Sequence, residues 1–246
     1  DAGAEVNETA PDGASALVVA SFSGHGELAA LLIERGADLD AADAGYAPLH
    51  TAVLRSDVQL VKMLLAHGAD PNIRITRGSR VPRSTNWWVL PGFLAGGTPY
   101  LLAAKYTELE IMRILSSHGA DPFLPTQDGT TPLMMAAGAT WRNREVDRRN
   151  RAVPTEVAEA MHADDVLNFE ATKLALELGA DVNTQNQAGD TALHSAVYKA
   201  WPRVVQLLVE YGGNLDLKNG NGKSAKDTMC YDEGQLVQCP DGRSGG

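Results

Sequence analysis

At 246 residues, with 44% hydrophobic and 21% charged residues, the chain has the length and make-up of one large globular domain or two small ones. Its net charge of −10 disfavours nucleic acid and acidic lipid as partners. No apolar run reaches the roughly 18 residues of a membrane span, and no signal segment heads the sequence. It begins at Asp1 without a methionine, so a processed or trimmed N-terminus is expected.

The first residues, Gly3-Ala4-Glu5-Val6-Asn7, read as the tail of a repeat, so the sequence is expected to begin within one. "SAL" at 15–17 then opens a short inner helix, and "ELAALLIERG" forms an amphipathic outer helix that stops at Gly36-Ala37-Asp38. "APLH" at 47–50 opens a second pair, closed by "QLVKMLLAHG" and Gly68-Ala69-Asp70. The turn that follows is interrupted. From Asn72 to Gly96 the chain takes 24 residues, and the insert at about 73–95 carries Arg74, Arg77, Arg80 and Arg83, no acidic residue, and the adjacent Trp87 and Trp88. One tryptophan is expected to anchor the insert on the repeats and the other to meet a partner, because tryptophan and arginine recur as binding hot spots.

"TPYL" at 98–101 opens the third pair, which ends at Gly119-Ala120-Asp121, and "TPLM" at 131–134 opens the fourth. Leu133 to Gly179 spans 46 residues where the other pairs take 19, so an insert of 27 falls between inner and outer helix, at about 139–168. It starts with five arginines, from Arg142 to Arg151, and Met161, Val166, Leu167, Leu174 and Leu176 then mark a helix. "TALH" at 191–194 begins the fifth pair, ending at Gly212-Gly213-Asn214. "SAK" at 224–226 begins a partial sixth unit, a C-terminal cap over 222–246. Cys230 and Cys239 lie there, and their spacing fits a local disulfide or two free thiols without deciding between them.

The markers keep step: helix opening to Gly is 19 residues in four pairs, Gly to the next opening is 14 after Gly119, Gly179 and Gly212, and together these make 33. Thr98, Thr131 and Thr191 suit N-caps, and Pro48, Pro99 and Pro132 suit the first helical turn. Recurrence of several dipeptides in fixed phase over nearly the whole chain resembles the ankyrin repeat. The resemblance implies an all-α ankyrin repeat solenoid of about five helix pairs plus a partial repeat, stacked as a single domain over 1–246. "GTPYLLAAKYTELEIMRILSSHGADP", "DGTTPLMMAAG" and "LELGADVNTQNQAGDTALHSAV" resemble a group of bacterial ankyrin proteins that carry signal peptides, which implies export and a periplasmic or secreted location.

That family binds proteins on the turn tips and the inner-helix surface. Carried onto this sequence, the positions are Tyr46, Leu54, Arg55, Lys105, Tyr106, Tyr198 and Lys199, with Phe22, Ser23, Asp43, Gln127, Gln185 and Gln187 beside them. His50 and His194, in the "PLH" and "ALH" boxes, are expected to tie turn to helix, more weakly at His50, where Ala47 replaces threonine. Trp141 and Trp201 are expected to pack half-buried at inner-helix ends. No histidine and cysteine cluster converges as a metal site requires. Gly220-Asn221-Gly222-Lys223-Ser224 lies in a repeat turn and lacks the strand of a phosphate loop. No catalytic residue or cofactor is expected. The sequence therefore points to a protein-interaction scaffold, an accessory subunit of a larger periplasmic or membrane-associated assembly. The alternative is a small anion or sugar bound in a pocket lined by the arginines and tryptophans of the inserts.

Overall fold

Helices form in pairs where the period puts them. A computed structural model describes residues 5–78, 90–139, 157–232 and 235–238. Among them, α1 (Ala16–Ser23) pairs with α2 (Gly26–Glu34), α3 (Pro48–Leu54) with α4 (Val58–Ala66), and α5 (Pro99–Lys105) with α6 (Leu109–Ser117). Helix α7 (Pro132–Ala136) follows with α8 (Val157–Glu177), then α9 (Ala192–Tyr198) with α10 (Pro202–Glu210). Ser15, Thr98 and Thr131 cap their helices, each hydroxyl accepting the amide three residues on at 3.2 Å. Thr191 departs from this. Its hydroxyl lies 2.9 Å from His194 Nδ1 instead of an amide. The glycines that end the outer helices, Gly36, Gly68, Gly119, Gly179 and Gly212, all take positive φ.

The chain divides into two compact units, Asp1–Ala103 with Glu110–Gln127, and Ala104–Leu109 with Asp128–Gly246. In the first, α1 packs on α3 and α2 on α4. Leu17, Leu49 and Tyr100 occupy one repeat position and are all buried. In the second, α7 packs on α8 and α9, and α10 on α8 and α9. Leu133 and Leu193 hold the same repeat position there, in a core with Leu176, Val204 and Leu208. Each such side chain contributes about 2 kcal/mol when removed from water, and the small Ala136, Ala137 and Ala196 keep the inner helices close.

Successive turns are joined by main-chain hydrogen bonds: Thr76 N–H to Gly45 O at 2.9 Å, Gln127 to Ala95 at 2.8 Å, Gln187 to Asp128 at 2.8 Å and Gly220 to Ala188 at 2.7 Å. The stacking is close enough to demand glycine. At Gly13, φ is +89° and a Cβ would lie 2.5 Å from the carbonyl of Asp43 in the next turn.

A second ladder runs through side chains. The fourth residue after the helix-ending glycine reaches the following repeat. Asn72 Oδ1 accepts Asp121 N–H at 2.7 Å while its Nδ2 donates to Gly119 O at 3.0 Å. Asn183 repeats both bonds on Asn214 and Gly212, and Asn7 on Asp38 and Gly36. Asp40 accepts Asp70 N–H at 3.0 Å. Burial is the main reason its carboxyl pKa is raised, with the charges of Asp70 and Asp38 adding to it.

The inserts are less external than their sequence suggests. Ile75 exchanges main-chain bonds with Gly97 (2.9 Å) and Gly96 (2.7 Å), and Ile75, Leu90 and Leu94 are buried. Gly78 lies against Leu90 and Gly92, so close that a Cβ would meet Leu90 O at 2.6 Å. Residues 73–78 and 90–95 thus belong to the packed turn layer, because Ile75, Leu90 and Leu94 find cover there. In the second insert, α8 runs 21 residues, joining the fourth outer helix to an extension before it. Asn168, within the span expected as insert, is buried and donates to Ala136 O at 2.6 Å, satisfying a carbonyl at the end of α7.

The chain's end departs from helix. After a 3₁₀ turn at Lys226–Thr228, β1 (Met229–Asp232) pairs antiparallel with β2 (Gln235–Gln238), and β2 lies on α9. Two short runs rich in β-formers flank Glu233-Gly234, which favours a hairpin over an outer helix. Cys230 faces Val237 in the register, while its side chain and Cys239 lie outside the described residues.

Candidate protein-binding surface

The expected binding residues fall into distinct sets. In the first unit, Tyr46 is half-buried against Ala14, Val18 and Ala44. Burial raises its phenol pKa, the Asp12 charge adds to that, and Arg77 opposes it. Arg77 sits on the turn tips: Nη2 donates to Asp12 O at 3.2 Å and to Asp43 O, and Nε donates to Ala44 O at 3.4 Å. Arg74 Nη1 bridges Gly96 O and Pro125 O, each at 2.9 Å. Both arginines therefore brace consecutive turns. Turn carbonyls left without amide partners attract guanidinium donors held nearby. Arg80, Arg83, Trp87 and Trp88 lie outside the described residues, as do Trp141 and Arg142–Arg151.

Two expectations are corrected. Leu54 is 4% exposed and Lys105 is 0% exposed, so neither offers a surface. Helices α3 and α5 are each buried along their whole length, leaving no free inner face at those positions. The Lys105 ammonium sits 5.2 Å from the Tyr106 ring centroid in the second unit. Arg55 is exposed, and its guanidinium covers Gly24, where a Cβ would meet Nη2 at 2.7 Å. Tyr198 is 63% exposed, with Lys199 Nζ 5.7 Å from its ring. Trp201, two residues beyond Lys199, is buried rather than half-buried and belongs to the core.

The histidines hold turns to helices. His194 Nδ1 accepts Thr191 N–H at 3.1 Å, and Nε2 faces Lys223 O at 3.1 Å in the next turn. His50 Nδ1 accepts Ala47 N–H at 3.1 Å, and Nε2 points at the Gly97 and Ile73 carbonyls without full hydrogen-bonding geometry. This is the weaker network that Ala47 implies. Burial lowers the His50 pKa from 6.5 to about 4, partly offset by those carbonyls. Above pH 6.5 the imidazole is neutral folded and unfolded. Below that the unfolded chain binds a proton that the fold refuses, so stability falls as pH drops towards 4. At pH 5.5 the loss is about 1.4 kcal/mol relative to pH 7.5. Denaturant titrations of wild type and His50→Asn at both pH values check this. Equal pH dependence in the two would remove the assignment to His50.

Sequence reasoning missed the asparagine ladder, although its signal, Asn or Asp four residues after four of the five helix-ending glycines, was present. Phe123 stands at that position after Gly119 and is exposed. Among the described residues no group of three or more metal-ligating side chains converges, and no helix is long and apolar enough to cross a membrane.

Comparison with known proteins agrees with this architecture. Family models described as "Ankyrin repeats (3 copies)" and "Ankyrin repeats (many copies)" match residues 2–75 and 168–209, respectively. Ankyrin repeat and SOCS box protein 16 of Homo sapiens is 29% identical over 91% of this chain and 48% of its own length. Putative palmitoyltransferase ZDHHC13 of Danio rerio is 24% identical over 92% of this chain and 29% of its own length. The chain thus spans about half the first relative and less of the second. The crystal structure of the human ASB11 ankyrin repeat domain superposes with a TM-score of 0.65 at 26% identity, covering 92% of this chain and 81% of that one. These relatives are eukaryotic, so the resemblance to exported bacterial proteins draws no support from them. Capped helix pairs, stacked turns and matches at both ends of the sequence have one explanation: the chain is an ankyrin repeat protein.

Proposed function

We propose that the turn edge of the first unit recognises a basic segment of a protein partner, and that the chain serves as an accessory recognition subunit of a larger assembly. Ankyrin repeats are protein-interaction scaffolds, and the relative named for ankyrin repeats and a SOCS box joins such repeats to a further module. One observation carries the reading. Arg77 gives its donors to main-chain oxygens of Asp12, Asp43 and Ala44, so no ion pair joins it to the exposed Asp12 and Asp43 carboxylates, whose two charges outnumber its one. Ion pairs found among the described residues, Lys62–Glu110, Lys173–Glu177 and Lys226–Asp216, involve neither of them. Two aspartates on adjacent turns then offer an anionic edge.

An arginine-rich peptide of about nine residues is the probe. Fluorescence anisotropy is expected to show binding that weakens with salt and falls severalfold in Asp12→Asn/Asp43→Asn. Asparagine keeps the Asp12 side-chain acceptor for Ala14 N–H, so folding is preserved. Salt-independent binding, or equal affinity in the double variant, would sink the reading. The pocket alternative is weakened by the same geometry, since Arg74 and Arg77 point at different carbonyls and not at a common centre.

A further inference from the structure

Repeat symmetry shows what each flank of a helix pair does. Leu17 and Gly36 recur 32 positions later as Leu49 and Gly68. On the same offset, Val19 corresponds to Thr51 and Leu28 to Leu60. Thr51 is 0% exposed and Leu60 2% exposed, in helices that have α1 and α2 packed upstream of them. Val19 is 50% exposed and Leu28 46% exposed, and Leu31 is exposed one helical turn beyond Leu28. Among the described residues, equivalent positions differ in exposure because a helix pair packs on that side of α3–α4 and none packs on that side of α1–α2. A solenoid unit that ends a stack needs a polar outer face. Here that face carries valine and leucine, as in a repeat built to be covered.

The turn ahead of α1 points the same way. Asn7 makes the two hydrogen bonds that Asn72 and Asn183 make, and those residues directly follow the outer helices α4 and α8. The isolated bridge Thr9–Ser15 matches Lys218–Ser224, which follows the outer helix α10. Residues 5–12 therefore have the conformation of a turn descending from an outer helix.

We propose that the α1–α2 face bearing Val19, Leu28 and Leu31 is a stacking site for one further helix pair of the same repeat type, entering through the turn at residues 5–12. The occupant's chemistry follows from the repeats themselves: a short inner helix with small residues and a leucine-rich outer helix, as α1 and α2 present to α3 and α4. Stacking on this face does not depend on the acidic edge formed by Asp12 and Asp43.

The test fuses a copy of residues 47–67 directly ahead of Gly3 in the full chain. Amide hydrogen exchange at Leu17–Ala20 is expected to slow by at least about tenfold, because α1 is no longer at an end of the stack. Val19→Glu with Leu28→Glu is expected to abolish that gain and to leave the urea midpoint of the unfused chain unchanged. Unaltered exchange in the fusion overturns the proposal. So does a fall in the unfused chain's midpoint with the double substitution, since the face would then be covered already. A concentration-dependent dimer of the unfused chain that the same substitutions dissociate would assign the face to a second copy instead.

Discussion

Gly138→Val is expected to destabilise the second unit by about 3–5 kcal/mol, the largest loss foreseen for a single substitution at this protein's turns. Gly138 follows α7 with φ at +100°, a conformation that a β-branched residue adopts only under strain. A Cβ there would lie 2.6 Å from Trp201 Cζ3 and 2.9 Å from Lys199 Cγ. The lysine stem can move aside. The tryptophan cannot, because it is packed into the same core as Leu133, Val204 and Leu208. Strain and overpacking therefore add. Urea unfolding followed by circular dichroism measures the effect, with Gly26→Ala as control. Gly26 opens α2, has no positive φ and has nothing within 4 Å of where a methyl group would sit, so alanine there is expected to be neutral or slightly stabilising. A Gly138→Val protein with the wild-type midpoint would show that Trp201 is free to relocate.

Ser116→Leu is expected to cost about 2–3 kcal/mol alone and to be largely rescued by Tyr100→Leu. The third repeat exchanges volume between its helices. Tyr100 replaces the leucine found at Leu49, Leu133 and Leu193, and Ser116 replaces the leucine found at Leu65 and Leu176. Both replacement groups meet in the core, where Tyr100 is fully buried and the Ser116 hydroxyl is enclosed. Burial pushes the Tyr100 phenol above its ordinary range, and the Ser116 hydroxyl facing it opposes that shift. Leucine at 116 has no room while the phenol ring remains. Leucine at 100 alone leaves a void, at about 1–2 kcal/mol. The double variant restores the packing of the other repeats. A double-mutant cycle in denaturant reads the coupling, and strictly additive costs would mean that the two side chains do not share one space.

Much of this architecture was legible because ankyrin helices are short and locally coded. Thr98 and Thr131 announce caps, Pro48, Pro99 and Pro132 announce first turns, and the glycine before each Ala-Asp announces a left-handed stop. Each acts on amides or dihedrals within a few residues, so spacing alone reveals it. The surface was less legible. Nothing local to Arg74 and Arg77 names their acceptors, and their guanidinium groups close carbonyls of turns up to 65 positions away in sequence. Leu54 and Lys105 sit where an inner helix was expected to face outward and are buried along with the rest of α3 and α5.

By itself the sequence determined the period, the helix openings and glycine stops of the five pairs and the places where the period is interrupted, because these depend on capping, helix termination and apolar spacing. Only the tertiary structure decided which polar groups are consumed internally and which apolar ones remain outside. Val19 and Leu60 belong to the same kind of flank, and their fates differ through what stacks beside them, a relation no local pattern records.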